Sequence, residues 1–593
     1  MARVKVKPHT WGFDIETAGW DTFVVGAACR DDGETIVFRS VDHVADWYKS
    51  LPSTDEIVSH FGGGFDFLFL ISVTPELEWS ASIAGATIVT CRAKGGAQCR
   101  DTSRLFPLSL AKWTGRKTST GLLCKCGKQC GGYCSIAIDM PREQLATLTE
   151  YCVNDTRILL ETWLSDVERL QADGLDVYNA RGRARNTIGG VAWNTAALMA
   201  GIDPAEVPDW ADYHAGRAGY YGGRCEVGRV YLPSPRPGHR YDVHAMYPWA
   251  LTLPVPFGKR RSLTGAEAVS AFDSHELGIF GAHVYVPDTD LPPLPHRYAG
   301  PTQGRLTRER LLWATGDIHG VWSGVELRHA LAHGAKLLSI DTASIWSDSG
   351  PVMRSYVEHV YMRRRQAIDE GDERWGAVLK WFANSLSGKL AQRPTVSRLV
   401  VRSQADDLGD DWEPCGPPGS RVYAQSAVLR PPSGHTWIAA TLTARARVKL
   451  HSRLIRHSGR WLYCDTDSTY LLDKDDTDVH ESRLGSWGYE GEAHDWQALA
   501  PKLYRYRDEL GRRHVRARGV PDADWPAFDA LAHGETVSSE RGVERIRSSG
   551  GAFVRRSVTR SFRDARTGRC GTRFIERGGT TRPLRRNADG SYT

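Results

Sequence analysis

The chain has 593 residues, 41% hydrophobic and 25% charged, with 76 Lys and Arg against 70 Asp and Glu for a net charge of +6. That length exceeds what one core can fill, so two to four domains are expected, and the ordinary apolar content excludes a disordered chain. No apolar run reaches the roughly 18 residues of a membrane span, and Met1-Ala2-Arg3-Val4-Lys5 lacks the apolar core of a secretory signal, so a cytoplasmic protein with no membrane partner is expected.

Residues 4–6 lead into Trp11-Gly12-Phe13-Asp14-Ile15-Glu16-Thr17 and then residues 22–28, which read as adjacent strands of a meander. Side chains alternate across a strand, so Asp14 and Glu16 share a face. In Ser59-His60-Phe61-Gly62-Gly63-Gly64-Phe65-Asp66 a strand ends in a glycine turn, and Asp66 opens an apolar helix. Residues 148–155 are helical by apolar period, which puts Tyr151 and Asp155 on one face. Four carboxylates beside a phenol suit two divalent ions and an attacking water. Between these elements lies Cys124-Lys125-Cys126-Gly127-Lys128-Gln129-Cys130-Gly131-Gly132-Tyr133-Cys134. Thiols this close in a Gly-rich, Lys-flanked loop are read as tetrahedral Zn²⁺ ligands; free thiols, or a site completed by Cys91 or Cys99, are the alternatives.

Farther along come Tyr220-Tyr221-Gly222-Gly223 and, after a Pro/Gly-rich loop, Asp242-Val243-His244-Ala245-Met246-Tyr247-Pro248, a strand entering a helix. In Lys380-Trp381-Phe382-Ala383-Asn384-Ser385-Leu386-Ser387-Gly388, helical spacing lines up Lys380, Asn384 and Ser387 in one stripe. Tyr463-Cys464-Asp465-Thr466-Asp467-Ser468 sits in an apolar, β-prone run, and strand alternation would turn Asp465 and Asp467 to one face, poised for Mg²⁺. Taken alone, this stretch reads equally well as a solvated turn. Lys502-Leu503-Tyr504 follows, and residues 541–593 carry 14 Arg against four acids, a solvated face or tail that also suits phosphates.

In this order the DxE, glycine-flanked FD and YxxxD segments resemble the exonuclease motifs of proofreading DNA polymerases. The later segments resemble the DxxSLYP, KxxxNSxYG and YxDTDS motifs of family B DNA polymerases. Three departures stand out. Phe61 or Gly62 replaces the second exonuclease motif's Asn, Ala245-Met246 replaces Ser-Leu, and Ser387 replaces a Tyr. The resemblance implies an α/β and α+β multidomain chain: an RNase H-like 3′–5′ exonuclease domain followed by a right-hand polymerase with palm, fingers and thumb. It implies two Mg²⁺ or Mn²⁺ ions per site, held by Asp14, Glu16, Asp66 and Asp155 with Tyr151 orienting water, and by Asp242, the Val243 carbonyl and Asp465. Asp467 is expected to position rather than ligate. Tyr247 would exclude a 2′-hydroxyl, while Lys380 and Asn384 meet the dNTP. Arg363, Arg364 and Arg365 are read mainly as a solvated basic face that reaches the phosphates at one position at most. Tyr220, Gly222 and Gly223 resemble YxGG, which guides template; Lys502 and Tyr504 resemble KxY, which grips the primer, with Thr466 also at the DNA.

The compact length resembles the protein-primed branch of phage and linear-plasmid replicases. The domains expected are 1–180 exonuclease with the cysteine run, 181–258 linker and first palm part, 259–358 inserted subdomain, 359–393 fingers, 394–434 inserted hairpin, 435–485 second palm part, and 486–593 thumb with a basic end. Primer-template DNA, dNTPs and a terminal protein are the expected partners of a monomer. The rivals are a polymerase that extends nucleic-acid primers alone and a catalytically impaired DNA-binding protein.

Overall fold

The computed structural model describes residues 8–18, 22–84, 87–116, 122, 136–178, 184–232, 236–298, 310–394, 396–401, 412–414, 422–427, 434–518, 520, 523–545, 553–561, 569–587, 589 and 591–593. Cys124, Cys126, Cys130 and Cys134 lie outside the described residues, as does much of the expected hairpin 394–434.

The N-terminal region opens with the antiparallel meander β1 (Thr10–Ala18), β2 (Thr22–Arg30) and β3 (Thr35–Phe38). Helix α1 (Val41–Ser50), β4 (Glu56–Ser59) and helix α2 (Asp66–Val73) follow, then β5 (Trp79–Ala84), β6 (Thr87–Ala93) and β7 (Gln98–Asp101). β1 lies parallel to β4, and β4 parallel to β7. The order β7-β4-β1-β2-β3 is the RNase H-like arrangement expected. After the short α3 (Leu110–Thr114), the long helix α4 (Arg142–Ala172) crosses β1 and β2. Gly12 permits that approach, since a Cβ there would sit 2.7 Å from the Thr156 carbonyl oxygen. The apolar face beneath is aromatic: Phe13 stacks on Trp47 at 5.4 Å. Cys91 and Cys99 are opposite one another on β6 and β7 and fully buried, so they belong to this core.

Helices α5 (Ile188–Met199) and α6 (Trp210–Ala218) lead to β8 (Cys225–Val227), β9 (Gly238–Val243) and α7 (Met246–Leu251). An inserted unit follows: β10 (Val255–Thr264), α8 (Gly265–Asp273), β11 (Gly278–Val286), β12 (Pro295–Tyr298), β13 (Arg310–Trp313), β14 (Thr315–Ser323), α9 (Gly324–Ala332) and β15 (Lys336–Gly350). Its sheet runs β10-β15-β11-β14, with Phe280, Ile318 and Trp322 in the core. It therefore starts a few residues before the expected 259. α10 (Arg354–Asp369) and α11 (Glu373–Leu390) form the helical pair expected for the fingers. The end of α4 seats them: Arg374 Nη1 lies 2.6 Å from Asp166 Oδ2, and Trp375 Nε1 donates to Asp173 Oδ2 at 2.7 Å.

In the region expected as an inserted hairpin, β16 (Val396–Val401), β17 (Trp412–Pro414) and β18 (Val422–Ala427) pair antiparallel with one another. Ser397 pairs with Ile83, which extends the exonuclease-like sheet to ten strands. The buried helix α12 (Thr436–Arg456) then precedes β19 (Trp461–Asp465), β20 (Ser468–Leu471), β21 (Trp487–Ala500), β22 (Leu503–Arg507) and β23 (Arg513–Ala517). With β8 and β9 these make one seven-stranded sheet, β23-β22-β21-β9-β20-β19-β8. Residues 487–517, in the stretch expected with the thumb, contribute β21–β23 to this sheet, because β21 pairs along β9 from Trp487 opposite Val243.

Helix α13 (Trp525–Ala532) and the hairpin of β24 (Thr536–Arg545) and β25 (Phe553–Ser561) come next. A small sheet of β26 (Arg569–Cys570), β27 (Arg573–Ile575) and β28 (Thr581–Pro583) precedes β29 (Arg585–Arg586), which joins β14 in parallel. The basic end is folded over these described residues: Arg573 is 1% exposed and sits 2.8 Å from Asp290 Oδ1. No helix of the described residues is long and apolar enough to cross a membrane.

Candidate active sites

The first carboxylate set forms where β1, α2 and α4 meet. Alternation on β1 presents Asp14 and Glu16, Asp66 is the first residue of α2, and Tyr151 and Asp155 are buried on one face of α4. Asp66 is fixed from two sides: Ser59 Oγ donates to Oδ2 at 2.7 Å and Ile15 N to Oδ1 at 3.3 Å. The glycine turn makes this possible. A Cβ on Gly62 would lie 2.5 Å from Ser59 Cβ, and one on Gly63 would lie 1.8 Å from the Ile88 carbonyl oxygen. Phe61, where the resemblance leads one to look for Asn, sits at φ 61° with its ring half exposed, and its N–H donates to Asp101 Oδ1 at 3.0 Å.

Electrostatics show that these acids share one site. Burial, then Asp66, Glu16 and Asp155, hold the Asp14 carboxyl well above the usual range. Burial, followed by Asp66 and Asp155, pushes Glu16 up to about 8. Asp66 is pushed up to about 7 by burial, against the lowering effect of its Ser59 and Ile15 hydrogen bonds. Three acids that resist ionising together, with Asp155 acting on two of them, form a donor set suited to hard divalent cations. Sequence reasoning missed two supports, Ser59 and Cys152; the Cys152 thiol lies 3.6 Å from the Asp14 carbonyl oxygen. Both adjoin motif residues, which was their only signal.

The second set lies on the seven-stranded sheet. Asp242 near the end of β9 is opposite Ser468 of β20. Asp465 closes β19, and Thr466 at φ 61° and Asp467 form the two-residue turn into β20. Strand alternation therefore does not place Asp465 and Asp467 on a common face; a tight hairpin separates their tasks. Asp467 is the carboxylate that acts on Asp242: burial, then Asp467 and Glu490, push Asp242 up to about 7, and Lys380 opposes them. Burial, then Asp465 and Glu490, raises Asp467. The Val243 N–H donates to the Asp467 carbonyl at 2.9 Å. Asp465 instead pairs with Lys502 Nζ at 2.5 Å and accepts from Tyr463 Oη at 3.2 Å. Asp467, expected as the supporting neighbour, is thus the carboxylate beside Asp242, while Asp465, expected as the ligand, is the one paired with Lys502. The donor set again suits divalent cations.

The neighbouring motif residues converge here. Gly223 packs on Thr466, where a Cβ would come within 2.6 Å of Oγ1, and Thr466 N donates to the Arg224 carbonyl at 2.7 Å. The backbone of Tyr221 and Gly222 is held by Arg447 Nη1 at 2.7 and 3.1 Å. Tyr247, half buried, is pushed up to about 12 by burial and then by Tyr220. Tyr504 stacks toward Tyr463 at 4.8 Å. Lys380 and Asn384 are exposed on α11, while Ser387 Oγ donates to the Asn384 carbonyl at 2.8 Å. Of the three arginines on α10, Arg363 is tied to Asp173 and Arg365 lies 3.5 Å from Asp369, while Arg364 has no ion pair among the described residues.

Sequence reasoning also missed Glu490 and Arg445. The Arg445 Nη1 has no hydrogen-bond partner among the described residues, and burial pushes the guanidinium down to about 10. It lines a cavity of about 360 Å³ with Trp249, Lys449, Ser452, Arg456 and Asp478, of which Lys449 and Asp478 lie 3.0 Å apart. Helical spacing of Arg445, Lys449 and Arg456 was the available signal.

Residues 140–411 match the family model of DNA polymerase type B, organellar and viral. The DNA-directed DNA polymerase of Enterobacteria phage PRD1 is 23% identical over 516 residues, covering 84% of this chain and 79% of that protein. The DNA polymerase of Streptococcus phage Cp-1 is 25% identical over 237 residues, 37% of each chain. That of human adenovirus B serotype 7 is 26% identical over 213 residues, and the match spans 18% of its length. Phi29 DNA polymerase, in its complex with primer-template DNA and incoming nucleotide substrates, superposes with a TM-score of 0.71 at 15% identity. That alignment covers 94% of this chain and all of the other, which shows a common fold.

Proposed function

The chain belongs to the family B DNA polymerases of the organellar and viral type, and from that premise we propose that it is a DNA-directed DNA polymerase with a separate 3′–5′ exonuclease site. One observation carries the polymerase reading: the Asp467 carboxylate, in the turn between β19 and β20, disfavours ionisation of Asp242 on the adjacent β9, while Lys380 of α11 favours it. Such an acid pair facing a lysine suits a triphosphate bridged to the protein by cations.

Two divalent ions bound at Asp242, the Val243 carbonyl and Asp467 would stabilise the attacking and leaving oxygens of nucleotidyl transfer. The side chains supply position and field. Lys380 meets the triphosphate and Asn384 adds hydrogen bonds to the dNTP. Tyr247 packs against the sugar and excludes a 2′-hydroxyl. Lys502 and Tyr504 hold the primer end beside Asp465, and Thr466 packs on Gly223 where the Tyr220–Gly223 segment guides template. Asp14, Glu16, Asp66 and Asp155, with Tyr151 orienting water, serve the exonuclease; burial and mutual repulsion support that reading.

Primer extension with dNTPs and Mg²⁺ tests the polymerase. Product from wild type and none from Asp242→Asn is expected, and product from neither would overturn the assignment. Asp14→Ala is expected to abolish 3′ trimming while sparing extension; equal trimming by both proteins would refute the exonuclease site. The inserted unit between Asp242 and Lys380 supports a docking platform for a terminal protein, to be tested by initiation on linear ends with and without that partner.

A further inference from the structure

His283, Asp317 and His319 gather on the inserted sheet, far in sequence from every motif used above. His283 on β11 is directly opposite His319 on β14, and Asp317, two residues before His319, shares its face. The alternate residues Val284 and Ile318 point into the core, which directs all three polar side chains outward. His283 Nε2 lies 2.5 Å from Asp317 Oδ1, and the two imidazoles stack at 3.7 Å with 19° between their planes. One donor atom from each residue falls within 4.8 Å of the others.

We propose that this cluster is a site for one divalent cation of the zinc class. Two imidazoles and one carboxylate match the ligand preference of Zn²⁺, Co²⁺ or Ni²⁺, whereas the all-oxygen sets at Asp14 and Asp242 suit Mg²⁺ or Mn²⁺. Tetrahedral ligands about 2.0–2.1 Å from zinc stand roughly 3.3 Å apart, and the three donor atoms already lie within 4.8 Å of one another. The backbone is already fixed by two hydrogen-bonded strands, so binding orders little chain. Water would take the fourth position.

The site also bears on the C-terminal segment. Arg586 Nη1 donates to the Asp317 carbonyl at 2.7 Å, and β29 pairs beside β14 at Thr315 and Gly316. A cation joining β11 to β14 therefore stiffens the strand on which the chain end docks. Its guanidinium neighbour meets the carbonyl and leaves the Asp317 carboxylate to the imidazoles.

The test is titration of the full chain with Co²⁺, read by visible absorption and by metal analysis after dialysis. Wild type is expected to retain one more equivalent than His283→Asn/His319→Asn, with no thiolate charge-transfer band in the difference spectrum. Cys126→Ser/Cys130→Ser is expected to keep that equivalent, which separates it from any cysteine site. Asp317→Asn, a near-isosteric change, should weaken binding on the order of tenfold or more. All variants should retain primer extension with Mg²⁺, which reports folding independently. Equal retention by wild type and the double histidine variant overturns the proposal, as does a difference band of thiolate character.

Discussion

Lys502 Nζ lies 2.5 Å from Asp465 Oδ2, while Asp467, two residues on, has no ion pair among the described residues and acts on Asp242. Thr466 in the left-handed region forms the corner that turns the two carboxylates apart. One acid thus has its counter-charge from the protein and the other is left for a cation. Lys502 is itself at φ 62°, a conformation that side chains rarely adopt, and its N–H is held by Tyr463 Oη at 3.2 Å. Strained backbone kept in place by specific hydrogen bonds is characteristic of functional positions.

The two acids of this hairpin should therefore fail differently. Asp467→Asn is expected to lower the extension rate on the order of 10³-fold, because it removes charge where the triphosphate complex assembles. Asp465→Asn should cost roughly 10–100-fold, since it acts through Lys502 and the hairpin. Single-turnover extension at saturating dNTP separates the two. Equal losses would restore Asp465 to the role its place in the motif implied.

The exonuclease-site acids make stability depend on pH in a direction set by their shifts. Glu16 titrates at about 8 and Asp66 at about 7 in the fold, both above their unfolded values. Between the unfolded and folded values the native state binds more protons, so stability falls as pH rises through that window. Without divalent ions, the melting temperature should fall between about pH 5 and pH 8. Added Mg²⁺ should reverse most of that loss at the alkaline end, because binding needs the ionised acids. Asp14→Asn/Asp66→Asn should flatten both dependences. Melts across pH, with Mg²⁺ or EDTA, supply the measurement.

How much was legible followed the range of the interaction. Asp14 and Glu16 stand on a strand of simple alternation, so a period of two placed them correctly. Asp465 and Asp467 looked alike, because the stretch suited a strand and a turn equally and its corner residue is Thr, not the Gly or Asn that would have decided for the turn. The pairing of Ser397 with Ile83 joins segments over 300 positions apart, which no local pattern encodes. Arg573 counted as one more basic residue of the chain end, yet it is buried against Asp290 and Thr581. Its environment is created by tertiary contacts that composition does not reveal.

Gly62 and Gly63, in the turn before Asp66, should tolerate no side chain. Gly63→Ala would drive a methyl against the Ile88 carbonyl, and neither backbone can yield without disturbing β6 or the Asp66 helix. A loss of about 1–3 kcal/mol in the N-terminal region is expected. Trimming should fall sharply while extension is retained, and limited proteolysis should reveal the loosened region. Gly64→Ala meets only the Thr87 methyl at 3.8 Å and serves as the matched control, with trimming near wild type.

Arg447 and Glu326 give the last prediction. Their side chains are 2% and 1% exposed and lie 2.6 Å apart at the closest atoms, and the same guanidinium holds the carbonyls of Tyr221 and Gly222. One ion pair thus ties α12, α9 of the inserted unit and the segment packed on the Asp465–Asp467 hairpin. Arg447→Met leaves Glu326 charged and buried, and should cost about 3–5 kcal/mol. It also frees the Tyr221–Gly222 backbone, so extension should become distributive. Arg447→Met/Glu326→Met removes the stranded charge and should recover much of the stability. It cannot restore the lost hydrogen bonds to Tyr221 and Gly222. Stability and template handling should therefore separate in the double variant, measured by thermal melting and by product length under enzyme trap; recovery of both together would confine this pair to a packing role.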